Sequence, residues 1–224
     1  MQGPDTRSGA RSRLAGPGWG FQQAAASSGV VFAALYATSL ALLRIAVPAD
    51  PRDPGEWLAD PTRCSQVHMA LNLVPFTGIA FLWFMALIDV RLQLAQNRIA
   101  ATVFLGSGLL FVAMLFSSAA GAQGLLNAFA QELLQRSEND AWKVSRGTVY
   151  ALMNPFAIRM AAVFTFVTSS AGLRSGLLHR WVAMAGFPCG AVLLLIITDF
   201  AWVALLFPCW VLLVTISFPD SRTA

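Results

Sequence analysis

Long uncharged apolar runs alternate with short polar stretches along most of the chain. Six runs stand out: about 29–47, 66–88, 99–120, 147–172, 181–198 and 200–218. Each approaches the ~20 residues that a helix needs to cross a bilayer. The pattern predicts an all-α polytopic membrane bundle with six transmembrane helices over 27–219. A disordered basic tail is expected over 1–26, rich in Gly, Ser, Ala and Arg, and a polar C-terminal tail over 220–224. Residues 123–137 are amphipathic, with Leu125, Leu126, Phe129, Leu133 and Leu134 opposite Gln131, Glu132, Gln135 and Arg136. They read as an extension of the third run or as a helix lying on the surface. Ser137 to Arg146 reads as a polar turn, and Asp199 as a tight one.

Proline and capping signals refine this picture. Pro75 and Pro155 lie inside runs and each leaves a backbone carbonyl four residues earlier without its donor, so kinks are expected. Asp53-Pro54-Gly55-Glu56 fits a capping box, which predicts a short helix over Glu56 to Asp60. Val47-Pro48-Ala49 weakly resembles a signal cleavage site, but the basic residues lie far upstream and Arg44 interrupts the run, so an uncleaved first helix is expected.

Composition agrees with the membrane reading. Of 224 residues 57% are hydrophobic and 12% charged, about half the charged share of soluble domains. With the N-terminus inside, the inner side holds Arg7, Arg11, Arg13, Arg91, Arg98, Arg174, Arg180 and Arg222. The outer side holds Arg52, Arg63, Arg136, Lys143 and Arg146, with Arg44 near its edge. The excess predicts a plasma-membrane protein with both termini cytoplasmic. No basic block interleaved with aromatics is present, which sets nucleic acid aside. Three widely spaced cysteines (Cys64, Cys189, Cys209) describe no disulfide framework.

Arg159, near the middle of the fourth run, is the main candidate for function. A charge at that depth costs several kcal/mol or more, and so faces a partner, a cavity or a function. At 100° per residue Leu152, Pro155, Val163 and Phe166 share its face. Ala157, Ala161, Thr165, Thr168 and Gly172 form a small-residue stripe nearly opposite, suited to close helix contact. Both faces call for protein, so the fourth span is expected at the centre of the bundle. Arg159, Asn154, His68 and Asn72 are the candidate ligand-binding residues, lining an outward polar cavity for a small, anionic ligand. The competing reading has Arg159 bonded to the Ala151 carbonyl or Asn154, or paired with an acid such as Asp199.

Other constellations are weaker. Cys64 and His68 are one turn apart, but no second histidine is expected at their depth, so no metal is assigned. Asp50, Asp53, Glu56 and Asp60 lack an accompanying nucleophile or orienting base, so no catalytic residue and no cofactor is assigned. The FPC repeats at 187–189 and 207–209 place two thiols at similar depth, read as buried small hydrophobes. The expected partners are the lipid bilayer, a small anionic ligand, and a membrane-protein partner or a second copy. The alternative to ligand binding is a non-catalytic accessory or scaffold subunit whose polar residues secure packing.

The stretches LVPFTGIAFLWFMALIDVRL (73–92), ATVFLGSGLLFVAMLF (101–116), RMAAVF (159–164) and LLFPCWVLLV (205–214) resemble an uncharacterised family of small polytopic membrane proteins common in actinobacteria. The resemblance implies membrane insertion and brings no activity or functional residue with it.

Overall fold

The structure is a computed structural model that describes residues 18–47, 60–92, 97–129, 140–176, 178–195 and 202–217. All regular structure among the described residues is helical: α1 (Gly18–Ala46), α2 (Pro61–Leu92), α3 (Arg98–Phe129), α4 (Asp140–Ala151), a π-helical turn (Leu152–Ala157), α5 (Ile158–Ser175), α6 (Arg180–Leu195), a 3-10 turn (Val203–Leu205) and α7 (Leu206–Ser217). Four rods are long and apolar enough to cross a membrane: Ser27–Ala46, Pro61–Val90, Arg98–Ala128 and Ala141–Ser175, the last running through α4, the π turn and α5. α6 and the Val203–Ser217 segment are shorter apolar helices. At 1.5 Å per residue the 16 residues of α6 span about 24 Å, less than the ~30 Å hydrocarbon core. The expected six spans therefore appear as four long rods and two short helices.

Local chemistry sets most of the boundaries. Asp60 caps α2, its Oδ1 accepting the Thr62 N–H at 2.9 Å, and Pro61 occupies the first helical position. The second helix thus begins five residues before the expected Gln66, and Asp60 opens it where a short helix had been expected to end. The rest of that short helix (56–59) lies outside the described residues. Asn97 caps α3 in the same way, accepting the Ala100 N–H at 3.2 Å. α3 continues to Phe129, which selects the extension reading for the first part of the amphipathic stretch; 130–139 lie outside the described residues. α1 begins at Gly18, inside the stretch read as tail, because helix-permissive Gln-Gln-Ala-Ala-Ala follows with no proline beyond Pro17. α4 begins at Asp140, inside the stretch read as a polar turn; its composition is polar but nothing in it breaks a helix. α5 ends at Gly176, whose left-handed φ of 67° and ψ of 7° suit a residue without Cβ. The Asp199 turn lies outside the described residues.

The core is built on phenylalanine. Phe81 of α2 is fully buried, with ring centroids 4.9 Å from Phe32 of α1, 5.1 Å from Phe111 of α3, 5.1 Å from Phe164 of α5 and 5.8 Å from Phe207 of α7. One ring therefore joins five helices. In lipid such packing is held by dispersion and shape, since tails offer side chains a medium as apolar as the core. α6 joins through a close backbone approach instead. A Cβ on Gly186 would overlap Ser169 Oγ of α5 and lie 2.8 Å from Trp210 Nε1 of α7.

α5 is enclosed along most of its length. No residue from 157 to 172 is exposed, and the small stripe of Ala157, Ala161, Thr165, Thr168 and Gly172 is buried throughout. Thr165 and Thr168 return their hydroxyls to the carbonyls four residues earlier, at 2.8 Å each, so the stripe presents little polar surface to its neighbours.

Truncating the shared ring is the direct test of this core. Phe81→Ala is expected to cost about 3–5 kcal/mol, whereas Phe156→Ala, at a half-exposed ring, is expected to cost under about 1 kcal/mol. Thermal melts of the two variants in one detergent check the contrast.

Candidate functional site

Pro155 has no N–H to give, and the chain around it widens into the π turn. An extra residue in one turn rotates everything before it relative to everything after it. Asn154, within this turn, meets α1. There Arg44 Nη2 donates to Asn154 Oδ1 at 3.1 Å. Arg44 sits in the last turn of α1, where a cation also answers the helix dipole.

This contact heads a cavity of about 150 Å³ enclosed by α1, α2, α3, α4 and the π turn. Arg146, Tyr150 and Asn154, at i, i+4 and i+8, give the α4 side a polar wall together with Arg44. The opposite wall is apolar, with Val67, Leu71 and Val74 from α2 and Leu115, Ala122 and Leu126 from α3. Trp142, almost fully buried, belongs to the same apolar cluster as Val67, Leu71 and Leu126. Ser118 also lines the cavity, but its hydroxyl is taken by the Val149 carbonyl at 3.1 Å.

The electrostatics are uneven. Arg44 Nε is buried, and among the described residues no atom accepts its hydrogen. The phenols of Tyr36 and Tyr150 lie within electrostatic range of the guanidinium. A buried donor without an acceptor costs about 1–3 kcal/mol, more when charged. Nε and Nη2 form one edge of the guanidinium, the edge that grips a carboxylate side-on. One atom of that edge is engaged by Asn154 and the other is open.

The four residues expected to share a cavity are dispersed. Asn154 lines this one. His68 is half-buried and lies beside it, its Nδ1 accepting from Gln123 Nε2 at 3.3 Å, while Gln123 also reaches Asn127 Oδ1 at 3.4 Å. Asn72 is exposed. Arg159 does not line the cavity; it is half-buried, and among the described residues no hydrogen bond or ion pair reaches it. Neither Asn154 nor the Ala151 carbonyl serves it, and Asp199 lies outside the described residues.

Arg44 is the residue that sequence reasoning missed. A single arginine before Pro48 at the end of an apolar run reads as an interfacial charge, and no pattern in the run distinguishes it. Among the described residues no group of three or more His, Cys, Asp or Glu converges as a metal site would require. Asp50, Asp53 and Glu56 lie outside the described residues. Cys189 and Cys209 are free thiols, and Cys189 Sγ donates to the Leu206 carbonyl at 3.7 Å. Comparison with family models, curated proteins and solved structures finds no match to this chain.

A mutant cycle isolates the Arg44–Asn154 contact. Asn154→Leu alone is expected to destabilise by about 2–4 kcal/mol, because it strands a second buried charged donor. Arg44→Met combined with Asn154→Leu is expected to return to within about 1 kcal/mol of the parent, since no buried charge remains. Melting of the two single variants and the double variant in detergent reads the coupling.

Proposed function

We propose that this is an integral protein of the plasma membrane that binds or transports a small anionic ligand through the cavity headed by Arg44 and Asn154. In this reading α6 and the Val203–Ser217 segment are the fifth and sixth spans, both termini are cytoplasmic and the cavity lies toward the outer face. The observation that carries it is a pocket with Arg44, Arg146, Tyr150 and Asn154 on one side and aliphatic side chains on the other, so that two cations border one mainly apolar volume. The positive-inside distribution of arginines supports the orientation. The likeness of 73–92 and 101–116 to the actinobacterial membrane family supports insertion and names no activity.

The test is thermal stabilisation of the purified protein by millimolar chloride, phosphate, acetate, hexanoate and benzoate, with benzene as neutral control. At least one anion is expected to raise the melting temperature, and Arg44→Gln is expected to abolish that rise. Stabilisation by benzene alone, or an anion effect that survives Arg44→Gln, contradicts the reading.

A second reading, an accessory subunit, is favoured by Arg159. It stands about 24 Å or more along the rod from either end, too deep for its side chain to reach a headgroup region. It is half-buried, has no polar partner among the described residues, and lies close in sequence to the half-exposed Phe156. A membrane helix carrying an acid would complete it. A photocrosslinker at position 156 is expected to capture one discrete membrane protein under this reading; crosslinks to lipid only would contradict it.

A further inference from the structure

Resting on the ligand-binding reading above, we infer that the Arg44 cavity takes a compact monocarboxylate with a single apolar body, of the size of benzoate or hexanoate. Three observations fix the class. The first is volume. A cavity of about 150 Å³ matches the engineered apolar cavity known to hold benzene, so the guest has roughly 6–9 non-hydrogen atoms. A full-length acyl chain does not fit inside it.

The second is the distribution of polarity. Arg44, Arg146, Tyr150 and Asn154 occupy one side, and the wall from α2 and α3 is aliphatic at Val67, Leu71, Val74, Leu115 and Leu126. A guest with a second polar group would bury that group against methyl groups without a hydrogen bond. Dicarboxylates, sugar acids and hydrated inorganic anions are disfavoured for that reason.

The third is the form of the donor. Arg44 lines the pocket with a guanidinium whose Nη2 is shared with Asn154 and whose Nε meets no hydrogen-bond partner among the described residues. A planar carboxylate matches the Nε–Nη2 edge, and the phenols of Tyr36 and Tyr150 lie within electrostatic range of the same group. Arg44 and Arg146 both line the cavity and both are half-buried, and Arg146 already has an interaction of its own.

The experiment compares apparent Kd values, from thermal shift of the full-length protein in nanodiscs, for benzoate and hexanoate. The comparison set is their neutral amides, the diacid adipate, palmitate and inorganic phosphate. Benzoate or hexanoate is expected to bind, with its amide roughly tenfold or more weaker, and adipate, palmitate and phosphate without effect. Ala122→Leu fills the cavity without touching Arg44, and is expected to abolish binding while the protein still melts cooperatively. This keeps the test decisive if Arg44→Gln fails to fold. Arg44-dependent binding of phosphate, or of adipate more tightly than hexanoate, overturns the monocarboxylate assignment and leaves the anion reading standing. Binding of palmitate alone overturns the size argument. Amides that bind as tightly as the acids, binding that survives Ala122→Leu, or no binding by any probe overturn both.

Discussion

Pro155 is the constraint on which the site depends. A proline at that point of a continuous helix removes one backbone donor, and the rod accommodates it by widening into a π turn over Leu152–Ala157. The cost is local, but the change in helical phase is not. Asn154 lies inside that turn and meets Arg44 of α1. Arg44, which would otherwise end its helix as an ordinary interfacial cation, gains a hydrogen-bond acceptor and is held inside the bundle.

Holding a cavity open beside that contact requires rigid surroundings, and packing in lipid supplies rigidity through shape. Phe81 meets rings from four other helices, and the small stripe of α5 is sealed from Ala157 to Gly172. These contacts fix the four long rods at the level of Phe81. Beyond Pro155, toward the Arg44 end, the rods are joined by a smaller apolar cluster of Ala46, Val67, Leu71, Leu126 and Trp142, and it is here that space remains. The bundle thus has a well-packed half at the level of Phe81 and a less tightly packed half at the Arg44 end.

Much of this architecture was legible in the chain. Apolar run length gave the four rods long and apolar enough to cross a membrane, and the periodicity of Ala157, Ala161, Thr165, Thr168 and Gly172 gave a buried face. Boundaries were less legible where polar residues are helix-compatible, as at Asp140–Arg146, or where a cap replaces an expected helix end, as at Asp60. The site was legible only in part. A constant 100° per residue placed Leu152 and Pro155 on the Arg159 face, and a π turn invalidates that arithmetic across Pro155. Asn154 was expected beside Arg159, and its hydrogen bond is to Arg44 instead. Arg44 gave no signal, because its importance arises from the π turn reaching it across 110 positions of sequence.

The central claim is that the Arg44 guanidinium lines a mainly apolar pocket that receives an anion. A cryo-EM structure in nanodiscs, determined with saturating benzoate, tests it most directly. The account predicts planar density against the Nε–Nη2 edge of Arg44, with the ring lying toward Leu71 and Leu126. A guanidinium turned outward to water or headgroups, with the space between α2, α3 and α4 closed by side chains, would contradict it.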